Sequence, residues 1–167
     1  MTIESVFIDQ LETAIADRGK MAALRRGLGQ PPGTCAEMFP IIAPLLPVKC
    51  PTRDERRHYL VASLFAYHPK TADQGNMGDH MRKACESGGE AATGRRFTVL
   101  LSAHPDDLAL YLRQAVSFLK SKDQGINWRQ LFADLKHWDH PDRYIQRRWA
   151  NAFWGNTREA EDEQEKE

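Results

Sequence analysis

The sequence predicts an all-α protein in which two small helical bundles pack together. Apolar residues recur at the three- and four-residue spacing of a helix along most of the 167-residue chain. No segment alternates apolar and polar residues between turn signals, as a half-buried strand would. Proline and glycine concentrate between the periodic segments, where they end one helix before the next begins.

Loss of helical spacing divides the chain into four parts. Residues 1–70 are predicted to form an N-terminal helical domain, and residues 94–155 a C-terminal helical bundle. Between them, residues 71–93 are glycine-rich and poor in large apolar side chains, so they are predicted to be a variable loop or linker, with one short helix near Asp79 to Glu86. Residues 156–167 are predicted to be a disordered acidic tail.

The N-terminal domain is predicted to contain four helices. Their apolar positions are Leu11, Ala14 and Ile15 in the first helix, Met21, Leu24 and Leu28 in the second, and Leu60, Val61, Leu64 and Phe65 in the fourth. The third helix covers Glu37 to Leu46, where Pro40 and Pro44 limit it because proline lacks a backbone N–H. The fourth helix, Arg53 to Tyr67, carries the clearest apolar stripe of this domain.

The C-terminal bundle is predicted to contain three helices. They cover Pro105 to Ser121, the segment after Asn127, and Pro141 to Trp154. The apolar positions are Leu108, Tyr111, Leu112, Ala115, Val116 and Leu119 in the first helix, Trp128, Leu131, Phe132, Leu135 and Trp138 in the second, and Ile145, Trp149, Ala152 and Phe153 in the third. Asn127 is a suitable N-cap, and proline suits the first turn of the other two helices.

The charges are unevenly distributed, although the formal net charge of the whole chain is zero. The whole chain has 23 basic and 23 acidic residues, and the tail alone holds two of the bases and six of the acids. The other 155 residues therefore carry 21 bases against 17 acids, a net charge of +4. A mildly basic folded part permits a nucleic-acid partner.

The three cysteines, Cys35, Cys50 and Cys85, show neither metal-ligand spacing nor a disulfide framework. We found neither a signal peptide nor an apolar segment long enough to span a bilayer. The sequence therefore predicts a cytoplasmic protein with no membrane partner and with reduced thiols.

One segment suggests an enzyme. FTVLLSAHPDD (97–107), with HWDH (137–140), resembles the zinc site of the PIG-L/LmbE deacetylase family. That resemblance implies His104, Asp107 and His140 as zinc ligands and Asp106 as the general base. However, Leu108 stands where that family has an acid, and an amphipathic helix replaces its glycine-rich stretch. We therefore interpret HPDD as a helix start, expect no catalysis and no cofactor, and keep the deacetylase as an alternative.

Basic residues fall in pairs away from the apolar stripes of several helices. The pairs are Arg18 and Arg25, Arg113 and Lys120, Arg129 and Lys136, and Arg143 and Arg147. Residues seven apart project from one helix face about 10 Å apart along its axis. Fixed cations on such faces are suited to phosphate backbone, which requires no reading of base edges. The alternative is a helical interaction protein whose basic faces bind acidic protein surfaces.

The segments that carry these features resemble one family. GRRFTVLL (94–101) and YLRQAVSFLKSKDQGINWRQLFADLKHWDHPDRYIQRRWANAFWG (111–155) are similar to the CasB family, the small subunit of the type I-E CRISPR surveillance complex, Cascade. ALRRGLG (23–29) and RRHYLVASLFAYHP (56–69) show a weaker similarity to the same family, in the same order.

The resemblance implies a subunit of an antiviral defence complex that is present twice, beside the backbone subunits and near the large subunit. It would stabilise the hybrid of guide RNA and target DNA, and the displaced DNA strand. The positions that carry over as nucleic-acid-binding residues are Arg25, Arg26, Arg57, Arg96 (or its neighbour Arg95), Arg113, Lys120, Arg129, Arg143 and Arg147. The expected partners are guide RNA, target DNA, a second copy of the chain, and the other Cascade subunits.

Overall fold

The structure is a computed structural model that describes residues 1–155. In that range the α-helices are α1 (Ile3–Ala14), α2 (Arg18–Arg25), α3 (Phe39–Ile42), α4 (Thr52–Tyr67), α5 (Met77–Ala84), α6 (Glu90–Leu101), α7 (Leu108–Ser121), α8 (Trp128–Leu135) and α9 (Tyr144–Ala150). No strand occurs among these residues, and an isolated parallel bridge joins Thr71 to Ile126. The predicted all-α fold class is confirmed. The predicted tail, 156–167, lies outside the described residues.

The first two helices begin at side chains that satisfy free backbone N–H groups. The Thr2 hydroxyl accepts a hydrogen bond from the Ser5 N–H at 3.1 Å, which starts α1. The Asp17 carboxylate accepts from Gly19 and Lys20, which starts α2. These caps fix where each helix begins, because the first turn of a helix has no intrahelical acceptor for its N–H groups.

The predicted third helix is broken into three short pieces. A 3₁₀ turn (Ala36–Met38), the four-residue α3 and a second 3₁₀ turn (Ala43–Leu45) follow one another. Pro44 explains the break, since a regular helix would need its missing N–H to bond the carbonyl of Pro40. The prediction of one helix over Glu37 to Leu46 is therefore corrected.

Helix α4 lies at the centre of the molecule. Nearly every residue from Arg57 to Ala66 is buried, so the helix is covered on all sides rather than along one stripe. Helices α2, α3, α7 and α8 pack against it. Three rings meet at its N-terminal half: Phe7 from α1 lies 4.7 Å from His58, and Phe132 from α8 lies 4.8 Å from His58, between ring centroids.

This contact crosses the predicted domain boundary. Helix α8 belongs to the predicted C-terminal bundle, yet it packs against α1 and α4 of the predicted N-terminal domain. The buried apolar residues form one cluster that runs from Phe7 to Phe153. The division at residues 70–94 is therefore not a gap in the core.

The predicted linker contains a well-anchored helix, α5. Asn76 and Asp79 form a reciprocal capping box at its start. Gly78 lies so close to α9 that a Cβ there would meet the Trp149 carbonyl oxygen. Most of α5 is buried, and its contacts include α9 and the π-helical turn Asn151–Gly155. The short helix expected near Asp79 to Glu86 is therefore present as α5, and it is packed into the core. No helix among residues 1–155 is long and apolar enough to cross a membrane.

Candidate nucleic-acid interface

Helix α7 presents one buried face and one basic face. Its buried residues are Leu108, Leu112, Ala115, Val116 and Leu119. Arg113 and Lys120 are exposed on the other side, seven residues apart and therefore about 10 Å apart along the axis. The predicted apolar stripe is confirmed at these positions, with Tyr111 half-buried at its edge. The helix begins at Leu108, three residues later than predicted.

Lys120 is held at the C-terminal end of α4. Its ammonium group donates to the Tyr67 carbonyl at 2.9 Å and lies 4.0 Å from the centroid of the Tyr67 ring. Arg25 of α2 is held beside Lys120, since its Nε donates at 2.8 Å to the carbonyl of Ala66, the residue before Tyr67. Both carbonyls are at the partly negative end of the helix dipole, where cations are favoured. The bonds to carbonyls leave further N–H donors on both side chains for a ligand.

Arg113 lies next to the loop that follows α2. A Cβ built on Gly29 would be 2.5 Å from Arg113 Nη1, so the guanidinium group lies against the loop backbone. Gly29 has φ +79°, a conformation that suits glycine. Residues 27–33 and α7 enclose a cavity of about 280 Å³ that Arg113 helps to line. A loop of the N-terminal half thus positions a side chain of the C-terminal half.

Arg96 completes the cluster from α6. Its guanidinium carbon lies 5.7 Å from the centroid of the Phe118 ring, within range for a cation–π contact. Arg96 and Arg113 line the same groove along α7. We call Arg25, Arg96, Arg113 and Lys120 the basic face. Arg26 is exposed at the end of α2, next to Arg25.

Arg57 has a structural position that the sequence did not indicate. It is only 9% exposed. Its Nη1 donates to the Phe132 carbonyl at 2.6 Å, and its guanidinium carbon lies 4.1 Å from the centroid of the Phe132 ring. Glu4 and Asp54 each approach it to 3.7 Å, and burial lowers its pKa. This burial contradicts the prediction that Arg57 reaches a phosphate, and we leave it out of the interface.

Two other predicted residues are engaged within the fold. Arg129 forms ion pairs with Asp9 and Glu12 of α1. Arg143 has a positive φ of 51°, and its guanidinium group donates to the Leu101 carbonyl. Arg147 is exposed on α9. Within residues 1–155, no described contact or shared cavity joins Arg129, Arg143 or Arg147 to the basic face.

The residues of the alternative zinc site form hydrogen bonds within two similar turns. His104 Nδ1 accepts from the Asp106 N–H at 3.1 Å, and His140 Nδ1 accepts from the Asp142 N–H at 3.2 Å. Asp107 donates its N–H to the His104 carbonyl at 2.8 Å and precedes the first residue of α7. In the part of the chain that the structure describes, no group of three His, Cys, Asp or Glu residues could hold a metal.

The sequence did not indicate the aromatic and loop residues that lie beside the cations. Tyr67 and Phe118 lie under Lys120 and Arg96, and Gly29 lies under Arg113. Helix α6 was not predicted either, although Thr93, Phe97 and Leu100 are buried at helical spacing. That spacing could have located α6 and, with it, the groove that Arg96 lines.

The fold and the site together define an all-α protein with a basic face supplied by three helices. A family model described as CRISPR-associated protein Cse2 matches residues 20–154, and the chain belongs to that family. The resemblance to the CasB family is confirmed, because CasB and Cse2 are both named among the similar proteins.

Three comparisons illustrate the similarity. A CRISPR-associated protein Cse2 from Thermus thermophilus is 38% identical over 150 residues, which cover 87% of this chain and 84% of that protein. The crystal structure of CasB from Thermus thermophilus superimposes with a TM-score of 0.83 at 30% identity, covering 93% of this chain and 99% of that chain. A chain of a CRISPR RNA-guided surveillance complex shares the fold, with a TM-score of 0.81 at 23% identity and 96% of each chain covered.

Proposed function

We propose that this chain is a non-catalytic, nucleic-acid-binding subunit of a cytoplasmic CRISPR Cascade surveillance complex. Its basic face would hold phosphate backbone without reading base sequence. The observation that carries the proposal is the convergence of Arg25, Arg96, Arg113 and Lys120 from three helices on one surface. The similar chain in a CRISPR RNA-guided surveillance complex supports the proposal that this chain is a subunit of such a complex.

The arrangement of the basic face suits a backbone ligand. Arg113 and Lys120 are separated along α7 by roughly one or two phosphate steps of an extended strand. Lys120 and Arg25 are held by carbonyls of α4, so less side-chain freedom is lost when a phosphate binds. Arg113 and Arg96 show no ion pair to an acid among the described contacts, which leaves their charges available to an anion.

In the complex, the proposed ligands are the hybrid of guide RNA and target DNA and the displaced DNA strand. The proposed protein partners are a second copy of this chain and the backbone and large subunits of Cascade. Arg26 and Arg147, both exposed, are proposed as additional phosphate contacts. Arg129 and Arg143 would reach a phosphate only by giving up the contacts that they make within the fold.

The test is a salt titration of binding between the purified chain and single-stranded oligonucleotides of unrelated sequence. Each phosphate contact lowers the logarithm of affinity by roughly 0.7 per unit of log salt, so four contacts give a slope near −3. We expect that slope, with affinities that agree within a small factor among sequences. A flat salt response with strong preference for one sequence would contradict the proposal. Absence of oligonucleotide binding, with salt-sensitive binding to acidic proteins instead, would favour the helical interaction protein.

A further inference from the structure

A groove between α6 and α7 opens beside the basic face. It encloses a cavity of about 360 Å³ with Met81 at one side. The aromatic side chains of Tyr111 and Phe118, both half-buried, line it from α7. Large apolar side chains stay exposed at its rim: Val99 is 47% exposed and Leu110, in the adjoining groove, is 57% exposed. Exposed apolar surface next to an aromatic cavity is typical of a binding site rather than of a solvated face.

The polar groups at this groove are basic or neutral. Arg96 stands at the opening with its guanidinium carbon 5.7 Å from the centroid of the Phe118 ring, and Arg113 lines the adjoining groove. The amide of Gln114, which is exposed, can both donate and accept hydrogen bonds. None of the residues lining the groove or its extension toward Ser121 is acidic. An anionic ligand with a flat, polarisable part therefore fits better than a cationic or purely aliphatic one.

We propose that this α6–α7 groove binds one unpaired base of a nucleic-acid strand. The inference rests on the proposed function, since the phosphates of that strand would lie on Arg113 and Lys120. Phosphates gain nothing from Tyr111 or Phe118, whereas the face of any base stacks on an aromatic ring or on a guanidinium plane. Stacking tolerates every base, so the groove adds affinity for single strands without adding sequence readout. A fully paired duplex has no base free to enter.

The experiment compares two ligands with the same number of phosphates. One is a thymidine oligonucleotide of about 12 nucleotides, and the other is the abasic strand of equal length. Binding of each is measured at low salt with the wild-type chain, with Phe118→Leu and with Phe39→Leu. Phe118→Leu removes the ring but keeps an apolar side chain. Phe39→Leu is the matched control, because Phe39 is a 41% exposed aromatic residue that does not line the groove.

We expect the wild-type chain to bind the thymidine strand about 5- to 150-fold more tightly than the abasic strand, the ratio expected from ~1–3 kcal/mol of stacking per base. Phe118→Leu should remove most of that ratio, whereas Phe39→Leu should retain it. Photocrosslinking of an iodouridine-substituted strand should label the peptide that contains Tyr111 and Phe118.

The possible failures are distinguishable. Equal binding of both strands by the wild-type chain would overturn the base site and leave the phosphate proposal standing. A ratio that survives Phe118→Leu would place the base elsewhere and also overturn it. Binding of neither strand would contradict the proposed function, and the inference would fall with it. A folding defect in Phe118→Leu weakens both strands equally, so it cannot imitate the expected result.

Discussion

The guanidinium group of Arg113 lies against the backbone of Gly29, where a Cβ would be 2.5 Å from Nη1. The two residues are far apart in sequence, and the contact joins the loop after α2 to the exposed side of α7. Because the loop limits where the guanidinium group can go, the direction of Arg113 depends on the absence of a side chain at position 29. Gly29 therefore belongs to the proposed interface because it positions Arg113, and the proposal gives it no contact with nucleic acid.

We expect Gly29→Ala to weaken oligonucleotide binding by displacing Arg113. The new methyl group would lie 2.5 Å from Nη1, closer than van der Waals contact allows, and the flexible arginine would move away from it. Alanine at the positive φ of position 29 also carries a strain of about 1–2 kcal/mol in the folded state, which glycine does not. Thermal melting and a salt titration of binding measure the two effects separately.

Gly33→Ala is the control for that strain. Gly33 has φ +86°, but a Cβ there would lie 3.7 Å from Tyr59, an ordinary contact that leaves Arg113 in place. It should therefore lose similar stability and keep the binding and salt slope of the wild-type chain. If both variants lose binding equally, loop strain rather than Arg113 displacement is responsible.

Arg57→Met should reduce stability rather than remove a phosphate contact. The substitution leaves the Phe132 carbonyl without its donor and Glu4 and Asp54 without a nearby cation. We expect a loss of about 2–4 kcal/mol, at the lower side of values for broken buried pairs because both acids remain partly exposed. Arg56→Met, at the exposed neighbouring arginine, should change stability by about 0.5 kcal/mol at most. Normal melting of Arg57→Met with a reduced salt slope would return Arg57 to the interface.

Arg57 also illustrates how far the sequence predicted the molecule. Helical spacing indicated most helices, including the core face of α7, because local periodicity carries that information. It could not indicate that α4 is covered on all sides, since the covering residue Phe132 is 75 positions away from Arg57. Arg57 and Arg113 therefore appear equally exposed in the sequence and differ entirely in the structure.

The sequence predicted that the site would consist of basic residues on helix faces, but not which of these residues share one surface. Spacing identified Arg113 and Lys120 as one pair and Arg25 as a member of another, and the resemblance added Arg96. Which pairs share a surface depends on helix packing, and the pairing of Arg129 with Asp9 spans 120 residues. The short helix near Asp79 to Glu86 was predicted, but its anchoring was not, because Gly78 lies on the backbone of α9, an element far away in the sequence.

Stability should fall as the pH is lowered from 6.5 toward 4, with His80 as one cause. Burial lowers the pKa of His80 from 6.5 to about 4, against a smaller opposing effect of Asp79, and its Nε2 accepts from the Asn127 N–H at 3.0 Å. Between pH 6.5 and 4, His80 therefore binds a proton in the unfolded chain but stays neutral in the folded chain. The stabilisation is present above pH 6.5 and is lost at about 1.4 kcal/mol per pH unit, up to about 3 kcal/mol.

Denaturant unfolding at several pH values measures this dependence. Burial also lowers the pKa of His58, so part of the slope should remain in His80→Gln. Asp134, whose pKa is raised by burial, contributes with the opposite sign and is the same in both proteins. His104→Gln is the control, because His104 is exposed, and it should keep the full slope. An unchanged slope in His80→Gln would show that His80 is not the group responsible.

The purified chain should not retain zinc at stoichiometric amounts after dialysis. His104 and His140 each use Nδ1 to accept a backbone N–H within their own turns, and these turns do not assemble three ligands. Elemental analysis of the wild-type chain and of His104→Ala tests this. Stoichiometric zinc that His104→Ala removes would support the deacetylase alternative.

The salt dependence of oligonucleotide binding by the double variant Arg96→Ala/Arg113→Ala tests the phosphate-binding account most directly. Both residues are exposed, so each substitution should change stability by only about 0.5 kcal/mol. Lys120→Ala is less suitable, because it also removes the bond to the Tyr67 carbonyl. Leu112→Ala serves as the folding control, since emptying that core site should cost about 2–5 kcal/mol.

We expect the double variant to melt like the wild-type chain, to bind single strands more weakly, and to show a log–log salt slope that is shallower by about 1.4, or 0.7 for each lost phosphate contact. The same variant in the reassembled complex should retain less target strand. A double variant that melts normally and binds with unchanged affinity and an unchanged salt slope would contradict the account.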